Sequence, residues 1–135
     1  MNFNTPDDAR NQCMLTGPLR RRGYDWWWHS FTVRDAQTGE ERPFFVEYFL
    51  VNPALGGAEP VLGQLPANKA AGRRPSYVMV KAGCWGGGAR QLHRFLGWQE
   101  ARVRMGAPFE LEAGDCFASA AALRRAAARR EAARV

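Results

Sequence analysis

Tyr24-Asp25-Trp26-Trp27-Trp28-His29-Ser30-Phe31-Thr32-Val33 is the stretch whose reading decides the fold. Aromatic and β-branched side chains fit a pleated, half-buried surface, so the run predicts a strand rather than a helix. Alternation along a strand puts Asp25, Trp27, His29 and Phe31 on one face and Tyr24, Trp26, Trp28 and Ser30 on the other. The next residues, Asp35-Ala36-Gln37-Thr38-Gly39-Glu40, supply a turn in which Gly39 can take positive φ. Pro43-Phe44-Phe45-Val46-Glu47-Tyr48-Phe49-Leu50-Val51 predicts a second strand and closes a hairpin. Both strands are apolar on both faces. That pattern suits a sheet with its core on one side and a cavity, a second sheet or a partner on the other.

Outward from this hairpin, Asn52 to Pro75 carries four prolines and four glycines, which excludes a long regular element and predicts a structured connection. Ser76-Tyr77-Val78-Met79-Val80-Lys81-Ala82 predicts a third strand, ending at Gly83. The Gly86-Gly87-Gly88 run lacks the Lys-Ser/Thr of a phosphate-binding loop and reads as turn chemistry. Arg90 to Met105 fits a short helix or an edge strand, with the strand preferred at His93-Arg94-Phe95-Leu96. Phe109-Glu110-Leu111-Glu112-Ala113 alternates, Gly114-Asp115 turns, and Cys116-Phe117-Ala118 begins another short strand.

Composition shifts near Gly23 and Ser119 divide the 135 residues into a polar N-terminal arm (1–22), a β domain (23–118) and a basic helical tail (119–135). After Ser119, a candidate N-cap, the tail is almost all Ala and Arg, predicting a solvated helix. Most of the net charge of +6 lies there, because Arg124, Arg125, Arg129, Arg130 and Arg134 face only Glu131. Nucleic acid is therefore expected as a partner only through the tail. The arm has no apolar signal-peptide core, and no window is long and apolar enough to span a bilayer. Cys13, Cys84 and Cys116 are odd in number and widely spaced, which argues against a disulfide framework or a zinc knuckle. A soluble protein of a reducing, cytoplasmic compartment is expected, with neither metal nor cofactor.

The candidate chemistry lies in the strands. Trp27, Phe31, Phe45, Phe49 and Tyr77 are candidate ligand-binding residues, since stacked aromatic faces suit a long apolar molecule. Glu47 sits in the middle of an apolar strand. It is either solvent-facing on an edge strand, or held in an apolar cavity where desolvation would make it a proton donor near neutral pH. Asp25 and His29 are the further acid–base candidates. The bland reading of each aromatic is a core residue.

Gly23-Tyr24-Asp25-Trp26-Trp27-Trp28-His29 resembles the opening strand of the tocopherol cyclase and carotenoid 1,2-hydratase family, whose members have lipocalin-like folds. Phe109-Glu110-Leu111-Glu112-Ala113-Gly114-Asp115-Cys116-Phe117-Ala118-Ser119 is similar to that family's segment ending in Phe-Ser. The resemblance runs from about Gly23 to Ser119 and covers the N-terminal half of the family architecture. It implies a β-barrel-like cavity, and with the strands and tail read above the expected fold is mainly β, an antiparallel lipocalin-like partial barrel or sandwich with a C-terminal Ala/Arg-rich helix. It also implies a hydrophobic, isoprenoid-type ligand and an acid-type cyclisation, isomerisation or hydration, with Glu47 or Asp25 supplying the proton. Five or six strands are expected, whereas a closed barrel takes about eight. Apolar edges left open by a half-barrel lead to the expectation of a homodimer or a missing second half. The rival expectation is a non-enzymatic interaction module using an exposed aromatic sheet and the basic tail.

Overall fold

The computed structural model describes residues 11–86, 88 and 90–122. A helical turn, α1 (Leu19–Arg22), leads into the predicted hairpin. Its strands, β1 (Tyr24–Arg34) and β2 (Glu41–Val51), pair antiparallel from Tyr24 opposite Val51 to Arg34 opposite Glu41. The turn between them is fastened by Asp35, whose Oδ1 accepts the N–H groups of Gln37 and Thr38 at 2.8 and 2.9 Å. Those bonds hold the Asp35 carboxyl below its ordinary pKa. Gly39 completes the turn at φ 74°, a conformation that a Cβ disfavours.

β3 (Tyr77–Cys84) and β4 (Gln91–Leu96) extend the sheet in the order β1-β2-β3-β4. The ambiguous segment after Arg90 is thus an edge strand. β5 (Ala101–Val103), β6 (Glu110–Ala113) and β7 (Cys116–Ser119) form a second sheet in sequence order. The architecture is mainly antiparallel β in two open sheets, a partial barrel or sandwich, with no closed barrel among the described residues. Seven strands lie among the described residues, against five or six expected. The extra one is β5, whose three residues are too few for alternation to show.

Register explains the core. Trp27 is opposite Tyr48 and Tyr48 opposite Val80, while Leu50 is opposite Val78 and Val78 opposite Leu96. These side chains share one face, and that face packs on Phe109, Leu111 and Ala113 of the second sheet. Trp27 stacks on Phe109 with ring centroids 4.4 Å apart. The Tyr48 hydroxyl donates to the Phe117 carbonyl at 3.2 Å, tying the two sheets by a polar bond as well. Each large side chain buried in this way stabilises the fold by about 1.5–3 kcal/mol. Cys13 and Leu15 enter the same core from upstream of β1.

The connection from Asn52 to Pro75 holds a 3-10 turn (Pro53–Leu55) and α2 (Pro66–Ala70), and Val61 forms an isolated antiparallel bridge with Ser76. Asn52 anchors it. Buried at φ 46°, it accepts the Gly23 N–H through Oδ1 at 2.9 Å and donates Nδ2 to the Pro75 carbonyl at 2.7 Å. Its own carbonyl receives the Ser76 hydroxyl at 3.1 Å. Asn is among the few residues that tolerate the left-handed region at small cost. At the far end, Ser119 Oγ accepts the Ala122 N–H at 3.1 Å, the bond expected of an N-cap. The remainder of the expected tail helix lies outside the described residues. No helix among the described residues is long and apolar enough to cross a membrane.

Candidate functional site

The hairpin register divides the candidate residues between two faces. Asp25, Trp27, His29 and Phe31 share the inner face, toward the second sheet, as alternation predicts. Phe49 is opposite Trp26, Glu47 opposite Trp28 and Phe45 opposite Ser30, so these three lie on the outer face, as does Tyr77 opposite Val51. The aromatic residues expected to line one cavity therefore occupy two surfaces. The acid candidates are likewise separated, with Asp25 and His29 on one side and Glu47 on the other.

Asp25 is committed to the backbone. Oδ2 accepts the Met14 N–H at 2.7 Å and Oδ1 accepts the Trp26 N–H at 2.8 Å, pinning the incoming chain to the start of β1. Glu47 occupies a central strand, half-buried on the outer face, between Trp28 on β1 and Lys81 on β3. It is neither on an edge strand nor in an enclosed cavity. Lys81 directs its Nζ over the Phe45 ring, 5.6 Å from the centroid.

The outer face is an aromatic layer in its own right. Phe45 is stacked by Trp28 at 4.6 Å and packed by Trp85 at 4.9 Å, and it is fully buried without belonging to the main core. Gly83 makes this possible, because a Cβ there would meet the Phe45 ring at 2.9 Å and the Arg90 carbonyl at 2.8 Å. Tyr24 stacks on Phe49 at 5.4 Å, and Tyr77 meets Phe95 edge-on at the same distance. Tyr24, Trp26, Trp28 and Trp85 remain 41–66% exposed.

The inner face opens beside the start of β1 into a cleft of about 390 Å³. Trp26 through His29 form one wall, and Phe109, Ala120 and Asn11 form the other. Trp27 is fixed there by its Nε1 bond to the Asn11 carbonyl at 2.9 Å and by its stack on Phe109. Among the described residues, His29 Nε2 is buried and has no hydrogen-bond partner. Burial pushes the imidazole pKa below its ordinary 6.5, so the ring is neutral at pH 7. One nitrogen of a neutral imidazole donates and the other accepts. His29 also meets Tyr48 edge-on at 6.5 Å, which orients the ring.

Other chemistry has less to build on. Three other depressions, near Arg20 and Met105, between Gly56 and Ser76, and beside the hairpin turn, hold no buried unpartnered side-chain atom among the described residues. Burial raises the Cys13 and Cys116 thiols above their ordinary pKa, away from the thiolate form. No cluster of three or more His, Cys, Asp or Glu able to hold a metal occurs among the described residues.

Sequence reading missed Phe109, Asn11 and Ala120 as cleft walls and Trp85 as part of the outer layer. Phe109 was detectable, since Phe109, Leu111 and Ala113 alternate onto one face. Asn11 and Ala120 contribute by position alone and have no signal in composition. No family model, curated protein or solved structure matches this chain.

Proposed function

We propose that the chain binds a hydrophobic small molecule of isoprenoid type in the cleft beside β1, with His29 Nε2 as its one polar anchor. The observation that carries this reading is a buried, unpaired imidazole nitrogen in an aromatic cleft. Leaving such an atom unpaired costs about 1–3 kcal/mol, and a ligand hydroxyl that reaches it as the cleft wall gives way would remove that cost. The cleft volume falls within the range of small-molecule sites, and the rings of Trp27 and Phe109 give it apolar walls. Binding without turnover fits best. An acid-type cyclisation, isomerisation or hydration needs a proton donor in the cleft, whereas Glu47 lies on the opposite face and Asp25 is held by two amides.

The test is a titration with farnesol and with farnesene, its hydrocarbon counterpart, followed by tryptophan fluorescence. Farnesol is expected to quench saturably and to bind more tightly than farnesene. His29→Phe is expected to abolish that preference, a loss of about fivefold in farnesol affinity for one neutral hydrogen bond. Equal affinity of the wild type for both molecules, or no saturable quenching, would overturn the reading.

A second reading is favoured by the exposure of Tyr24 (66%) and Trp26 (50%) on the outer face. Such rings form the core of interaction surfaces, and the chain then acts as a non-enzymatic interaction module aided by its basic tail. Removing residues 123–135 discriminates the two. Ligand binding survives that deletion under the first reading, and partner binding is lost under the second.

A further inference from the structure

β1 is an edge strand of 11 residues, and no strand pairs with its free side among the described residues. The bonds from Asn52 N–H to the Gly23 carbonyl and from Asp35 N–H to the Glu40 carbonyl bracket its ladder with β2. Both fall at odd positions of the first strand. In an antiparallel ladder hydrogen-bonded pairs recur at every second residue, so the odd residues of β1 bond to β2 and the even ones turn their N–H and C=O groups outward. Among the outward groups, the Trp26 N–H is taken by Asp25. No backbone or side-chain partner for Trp28, Ser30, Thr32 or Arg34 N–H occurs on that side among the described residues. Natural edges carry Pro, Lys, bulges or short lengths to prevent pairing, and Trp26 to Val33 has no Pro and no Lys. On the inner face, Phe31 (46%) and Val33 (44%) project beyond the core and stay exposed.

We propose that β1 pairs antiparallel with β1 of a second copy of this chain, about a two-fold axis at Phe31. This joins two four-stranded sheets into one continuous sheet. The register follows from the free groups, because an axis at Phe31 uses every outward position from Trp28 to Arg34 and avoids the occupied Trp26. The segment is complementary to itself in that register. Trp28 lies opposite the partner's Arg34, whose charge is already met by Glu41 of its own hairpin, and Ser30 lies opposite the partner's Thr32. Phe31 meets the partner's Phe31 on the inner face and covers the apolar surface left exposed there. His29 lies opposite the partner's Val33, so the second copy supplies a wall to the cleft that holds Nε2. The two Arg34 guanidinium groups sit at opposite ends of the pairing and do not repel. A second copy is favoured over an unrelated strand because it sets the exposed Phe31 ring against an identical exposed ring and the Ser30 hydroxyl against that of Thr32.

The pairing does not depend on the ligand assignment, and one experiment separates them. Light scattering across a dilution series is expected to give twice the 15.1 kDa chain mass at high concentration. Ser30→Pro removes one outward N–H and leaves the β1–β2 ladder intact, since Pro is tolerated on edges. It is expected to be monomeric with unchanged circular dichroism, and so is Thr32→Lys should the proline unfold the strand. Under mild oxidation Phe31→Cys is expected to form a covalent dimer, because residues at the axis face each other as a close pair, while Val33→Cys forms none above background. A monomeric wild type, an oligomer that persists in both edge variants, or equal cross-linking at positions 31 and 33 would overturn the proposal. Farnesol binding is read on the same samples, so a dimer that binds no ligand defeats the cleft assignment alone.

Discussion

The two faces of the four-stranded sheet are built from the same strands and nearly the same residue types, yet they do different things. Trp27 on the inner face is 7% exposed, while its neighbours Trp26 and Trp28 on the outer face are 50% and 41% exposed. The difference lies in what covers each face. Phe109 and, from β6, Leu111 and Ala113 cover the inner face and make it the core, with Ala101, Val103, Cys116 and Ala118 of β5 and β7 packed against it. The outer face has only its own rings to pack, which bury Phe45 and leave the rest half open. Aromatic content alone therefore does not make a core; a second layer does.

Trp27→Ala should break the comparison most strongly, with a loss of about 3–5 kcal/mol in urea unfolding from the cavity left against Phe109. Phe45→Ala sharpens it. If the outer layer is a packed cluster, this variant costs about 3 kcal/mol despite lying outside the main core, and a cost near zero would mean that the outer rings are unorganised. Asn52→Ala is expected to cost about 2 kcal/mol, since it leaves the Gly23 N–H and the Pro75 carbonyl unpaired and places Ala at positive φ. Trp26→Ala should change stability by no more than about 0.5 kcal/mol, because its ring is half exposed and touches no second layer.

A pH series probes the inner face separately. Burial lowers the folded-state pKa of His29, so as pH falls the unfolded chain takes up the proton first. This group therefore leaves stability unaffected above the unfolded value of about 6.5 and diminishes it as pH falls below, until the folded-state pKa is passed. Urea midpoints at about pH 7.5 and about pH 5.5 should differ more in the wild type than in His29→Phe. An equal difference in both would remove His29 from the account.

Much of the fold was legible. The hairpin followed from aromatic content and turn residues, and the face shared by Asp25, Trp27, His29 and Phe31 followed from alternation. Which of two apolar faces would be covered was not legible, because periodicity is silent where both faces are apolar. The site was legible only in part. His29 and Trp27 were marked as candidates by residue type, but their cleft depends on Phe109, roughly eighty residues downstream, and on the backbone of Asn11. Glu47 drew attention as a carboxylate among apolar neighbours, yet the register sets it across the sheet from His29, a relation that no local pattern encodes.

The account rests most on His29, and its imidazole resonances followed by NMR as farnesol is added test it directly. The expected ring titrates below the ordinary value of about 6.5 and shifts saturably with farnesol while farnesene leaves it unmoved. A ring that titrates at the ordinary value and does not respond to farnesol would contradict it.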